Sequence, residues 1–158
     1  MDAGRCETTL LRNFLADGLE MMTVDVLNRL LAMHSRSLPT YLVSAPPWYP
    51  ESDSDAMVAL RHVAEDHALM VDRLGAEIMR EHGAVKAGEF PMIYTDLHDL
   101  SIDFVLRQVV SELQGNLEEI QTCMDQLQNA PAAKALAEEA LGATQGHLDN
   151  LDSLESVS

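Results

Sequence analysis

Leu106, Val110, Leu113, Leu117, Ile120, Met124 and Leu127 follow one another in alternating steps of four and three, a spacing that lines one face of an α-helix and no face of a strand. Three other stretches repeat it. Leu27, Leu30, Leu31, Leu38 and Tyr41 form one, Met57, Leu60, Val63, Met70, Leu74 and Ile78 a second, and Leu136, Ala140, Leu141, Thr144, Leu148, Leu151 and Leu154 a third. Four amphipathic helices bury their faces most simply against each other, so the spacing predicts an all-α chain organised as a four-helix bundle. Only 4% of residues are aromatic, which suits helix-on-helix packing better than a sheet. A chain of 158 residues has room for one core, so residues 1–158 read as a single domain with its bundle at about 24–155.

Turn residues set the expected boundaries. Residues 1–7 read as a loose terminus, and Thr8 or Thr9 can cap a helix carrying Leu11, Phe14, Leu15, Leu19 and Met22 on one side. Gly18 and Thr23 can break that helix. The stretch is therefore either one long first helix or a short N-terminal helix, suited to covering the bundle or pairing subunits, followed by a bundle helix over 24–43. Pro39 should bend the end of that helix, and Pro46, Pro47 and Pro50 forbid its continuation. The second bundle helix is expected from the Ser52–Asp55 cluster to Gly83, with Gly83 as its left-handed C-terminal residue. Residues 83–94 then form a connection whose extended reach, roughly 40 Å, equals the length of a bundle helix. Thr95 and Asp96 open the third helix, and Asn129-Ala130-Pro131 divides it from the fourth.

The net charge of -16, with ten Lys and Arg, argues against a nucleic-acid partner. No apolar run is long enough for a membrane span, and no signal segment opens the chain, so a cytoplasmic protein is expected. Cys6 and Cys123 lack paired CxxC spacing and read as free thiols.

Chemistry is carried by histidines that stand where leucines belong. His34, His67 and His147 fall on the apolar stripes of the first, second and fourth bundle helices. His34 lies about ten residues before the end of its helix and His67 about thirteen after the start of the next, which at about 1.5 Å per residue puts them at one height. His147, about fifteen residues into the last helix, and Glu112, near the middle of the third, come to the same level. Three imidazoles and a carboxylate are a plausible shell for one divalent transition metal ion, such as iron, zinc or manganese. The competing reading is a buried polar network among the same residues, without metal. His62 is about 140° around the helix from His67 and should face solvent, as should Glu65 and Asp66. His82 and His98 fall near helix ends.

At these residues the chain resembles the ferritin-like superfamily, bacterioferritins in particular. Leu27-Asn28-Arg29-Leu30-Leu31 matches the family's Leu-Asn-x-Leu-Leu, with His34 at the place of a ligand glutamate and Tyr41 at that of a tyrosine. His67 and His147 match the histidines of two Glu-x-x-His motifs, but Ala64 and Thr144 replace the glutamates, and Glu112 fits the helix 3 ligand. The resemblance implies a ferritin-like bundle with an N-terminal helical extension and a long connection between helices 2 and 3. One carboxylate in place of four would neutralise a pair of dications poorly, so it implies a mononuclear site and not a conventional iron-storage centre. A homo-oligomer, in the simplest case a dimer, is expected. The alternative is a non-enzymatic scaffold or dimerisation protein.

Overall fold

The computed structural model describes residues 3–97 and 100–155, apart from the side chains of residues 3–7, 52 and 155. Its helices are α1 (Ala3–Ser35), α2 (Leu38–Ser44), α3 (Ser54–Arg80), α4 (Ile102–Gln126) and α5 (Pro131–Glu155), with short 3-10 turns at Glu51–Asp53 and Met92–Leu97. No strand occurs among the described residues, and none of their helices is long and apolar enough to cross a membrane.

Of the two expected forms of the first helix, the continuous one is found. α1 runs unbroken for 33 residues, about 50 Å, and it already includes residues expected to be a loose terminus. Thr23 does not interrupt it, because its hydroxyl donates to the Leu19 carbonyl one turn back, 2.9 Å away. The helix breaks instead at Arg36-Ser37. Ser37 caps α2 by accepting from Thr40 N–H, and Pro39 sits in the first turn of α2, where its missing amide costs nothing.

α3 buries the expected stripe, Met57, Leu60, Val63, His67, Met70, Leu74 and Ile78. Its C-terminus differs from expectation: the left-handed residue is His82, at φ 58°. Gly83 N–H bonds the Ile78 carbonyl and His82 N–H that of Met79, the double closure that a left-handed residue permits. Glycine is required at 83 for another reason, since a Cβ there would lie 2.5 Å from Val24 Cγ1.

The chain then crosses the whole bundle. Asn28 holds its start by donating to the Ala84 carbonyl at 2.9 Å and accepting from Lys86 N–H at 2.7 Å. Ser35 Oγ donates to the Ala87 carbonyl, and Phe90 and Tyr94 stack around Tyr41. Thr95 and Asp96 lie in the second 3-10 turn and do not open a helix. Ser101 caps α4 instead, accepting from Phe104 N–H.

Two apolar clusters make the core. One joins Leu38 and Leu42 to Met57, Leu60 and Val63 of α3, Ile102, Val105, Leu106, Val109 and Leu113 of α4, and Leu148 and Leu151 of α5. The other joins Val26, Leu27, Leu30 and Leu31 of α1 to Met70, Leu74 and Ile78, to Ile120, Cys123 and Leu127, and to Ala133, Ala137 and Ala140. The start of α4 therefore lies with the start of α3 and its end with the end of α3, so the two run parallel, as a crossover connection requires.

Candidate metal centre at the waist of the bundle

On α1, α3 and α5 polar residues separate the two apolar clusters: His34 follows Leu31, His67 lies between Val63 and Met70, and Thr144 and His147 divide Ala140 from Leu148, whereas Glu112 of α4 falls within the first cluster, between Val109 and Leu113. The common height inferred from helix lengths is thus realised as a polar waist. His34, His67 and Thr144 are buried and His147 is nearly so.

The rings of His34 and His67 meet edge to face, with centroids 4.9 Å apart, and His67 and His147 follow at 6.4 Å. His34 Nδ1 lies 2.7 Å from the Leu30 carbonyl. A carbonyl only accepts, so Nδ1 carries the proton and Nε2 the lone pair.

His67 reaches the same tautomer through a chain of hydroxyls. Thr40 Oγ1 donates to the His34 carbonyl at 3.3 Å. With that proton committed, Ser37 Oγ donates to Thr40 Oγ1 at 2.8 Å and accepts from His67 Nδ1, 2.7 Å away. Nε2 of His67 therefore also holds a lone pair. Burial lowers the pKa of His34 despite the Leu30 bond. Burial, reinforced by His34 and His147, lowers His67 to about 3. Both are neutral imidazoles at neutral pH.

His147 is differently placed. Its Nε2 is shut off from water and approaches Asp66 Oδ2 at 3.0 Å, but off the direction that a hydrogen bond needs. Among the described residues it is the one buried side-chain nitrogen or oxygen without such a bond. Burial lowers its pKa, opposed by Asp66 and aided by His62. Asp66 is exposed, as expected, yet its carboxylate turns to the waist. His62 is exposed; His98 lies outside the described residues.

Glu112 reaches the waist with its carboxylate already engaged. Leu38 N–H donates to both oxygens, at 3.0 and 3.3 Å, and Tyr94 OH donates to Oε2 at 2.5 Å. Burial raises its pKa against both of these donors. The carboxylate thus ties the α1–α2 break to the crossover. Sequence reasoning missed this role because Tyr94 and Leu38 are distant in the chain; the unfilled amide of Leu38, first residue after the Ser37 cap, was the available signal.

Two neutral imidazoles with free Nε2 lone pairs, each fixed by an acceptor on Nδ1, match the way metal-bound histidines are usually oriented. His147 adds a third nitrogen at the same level, but its Nε2 faces the Asp66 carboxylate at 3.0 Å and must turn from it to bind an ion. These donors suit a transition metal ion, whereas Ala64 and Thr144, the latter bonded to the Ala140 carbonyl, offer no carboxylate to bridge two. The expected shell of four is not preassembled: among the described residues no three His, Cys, Asp or Glu side chains stand as a metal-holding group. Two imidazoles on one tetrahedral ion have centroids about 5 Å apart, so the His67–His147 spacing of 6.4 Å must close before both rings can share an ion, and Glu112 is held by other partners.

Parallel second and third bundle helices joined by a full-length crossover define the ferritin-like fold. Among solved structures the chain is similar to the dodecameric thioferritin of Bacteroides fragilis, described as a bacterioferritin-related protein, with a TM-score of 0.71, 18% identity and 87% of each chain covered. No protein-family model matches the chain, and no curated protein matches it.

Proposed function

We propose that this is a metal-binding protein on a ferritin-like scaffold, holding one divalent transition metal ion through His34, His67 and His147, and working as a cytoplasmic homo-oligomer. The observation that carries the reading is the pair of Nδ1 bonds, His34 to Leu30 and His67 to Ser37, which leave two buried Nε2 lone pairs on adjacent rings. His147, whose Nε2 faces the Asp66 carboxylate without a well-directed hydrogen bond, supplies the third nitrogen by turning from it. Glu112 acts from outside this set as a brace, although it could join as a fourth ligand by releasing Tyr94. Iron, zinc and manganese all accept such donors. A bound ion would supply acidified water or, as iron or manganese, electron exchange with oxygen species. The dodecamer formed by the thioferritin favours a homo-oligomer.

The second reading is a metal-free scaffold, favoured by the continuous bonding from His67 through Ser37 and Thr40 to the His34 carbonyl. Elemental analysis of protein purified without a metal-affinity tag separates the two. The metal reading expects close to one ion per chain, lost in His67→Ala and His147→Ala; metal-free parent protein of normal helicity supports the scaffold.

A further inference from the structure

Val24, against which Gly83 closes, marks the end of the bundle, yet α1, which starts at Ala3, extends for 21 more residues, 3–23, on its N-terminal side. Leu10, Leu11, Phe14, Leu15, Leu19, Met21 and Met22 of this arm are 44–76% exposed. Leu11, Leu15, Leu19 and Met22 continue the stripe that Val26 and Leu30 bury inside the bundle. Taking a large apolar side chain as about 200 Å², the seven expose on the order of 900 Å², near the roughly 800 Å² that each partner buries in a stable complex. An isolated apolar patch of this size marks an interaction surface.

We infer that the arm, residues 8–22, pairs antiparallel with the arm of a second copy of this chain. A two-fold axis between residues 16 and 17 sets Leu11 opposite Met22, Phe14 opposite Leu19 and Leu15 opposite Gly18. Nothing lies within 4 Å of where a Gly18 Cβ would be, so the partner's Leu15 has room and the helices can approach closely. Charge fixes the direction. Arg12 is the arm's one basic residue and Asp17 and Glu20 its acidic ones; the antiparallel pairing brings each Arg12 next to the other copy's Glu20, whereas a parallel pairing sets each acid beside its own counterpart. The arm's net negative charge disfavours an anionic lipid surface. This inference rests on the proposal that the chain self-associates and is independent of the metal.

Light scattering on the full-length chain and on Leu11→Asp/Leu15→Asp, with circular dichroism as a folding control, tests it. Pairing predicts a parent mass that is an even multiple of 17.4 kDa and at least a halving in the variant, at unchanged helicity. A variant that keeps the parent's mass overturns arm pairing and leaves self-association standing; a monomeric parent overturns both, and one that also floats with anionic vesicles assigns the arm to a membrane. In a Cys6→Ser background, oxidising a mixture of Leu11→Cys and Met22→Cys chains should give the mixed dimer. Same-variant dimers alone would overturn the antiparallel arrangement.

Discussion

His67 Nδ1 and Ser37 Oγ lie 2.7 Å apart, and Ser37 is also the residue on which α1 gives way to α2. The helix break therefore serves the waist directly: it frees a hydroxyl that an unbroken helix would bond to its own preceding turn. Leu38, the next residue, turns its amide to Glu112. Two of the four polar groups at this level are thus oriented by one interruption of the chain.

Ser37→Ala removes both the cap of α2 and the acceptor of His67. A loss of about 1–3 kcal/mol of unfolding free energy is expected, measured by urea denaturation. If metal is bound, its affinity should fall about 10–100-fold, as when a ligand loses the group that orients it.

The buried histidines make the metal-free protein acid-sensitive. His67 has a pKa of about 3 in the folded chain against an ordinary 6.5, so below pH 6.5 the unfolded chain binds the proton that the folded chain refuses. The stability is fully present above pH 6.5 and is lost as pH falls toward 3, by about 1.4 kcal/mol per pH unit for each such group. His34 and His147 shift in the same direction. Glu112, raised by burial, acts oppositely, and its contribution recovers only as the carboxyl protonates at lower pH. Unfolding free energies between pH 7 and 5 should therefore fall with acidity, and His67→Leu should flatten that slope.

Gly83→Ala forces a methyl to within 2.5 Å of Val24 Cγ1. Overpacking of this kind costs about 1–3 kcal/mol. Adding Val24→Ala should recover part of the loss, and a thermal-denaturation double-mutant cycle would show the coupling. Simple additivity of the two changes would mean that residues 24 and 83 do not meet.

Asn28→Leu cuts both bonds that fasten the crossover, to Ala84 and Lys86. The connection should become more susceptible to limited proteolysis between residues 84 and 94 while far-ultraviolet dichroism stays unchanged.

The four bundle helices, the crossover and the level shared by the three histidines were legible because each depends on local periodicity and on counting residues along a rigid rise. What could not be read depends on contacts between distant segments. Thr95, Asp96 and Ser101 are all competent caps, and only the packing of Tyr94 against Tyr41 and Glu112 commits the first two to a 3-10 turn. His82 takes the left-handed position, one residue before the Gly83 that Val24 crowds, and no local pattern marks that shift. Val105 and Val109, which share a helix face with Glu112, are fully buried, so Glu112 lies on an inward face. Its azimuth was readable, but its partners were not.

X-ray absorption at the metal edge, on protein reconstituted with one equivalent of zinc, bears most directly on the waist as a binding site. The account predicts about three imidazole nitrogens at roughly 2.0–2.1 Å, with the imidazole signal reduced in His34→Ala and His67→Ala. A shell without imidazole, or zinc retained unchanged when both rings are removed, would contradict it.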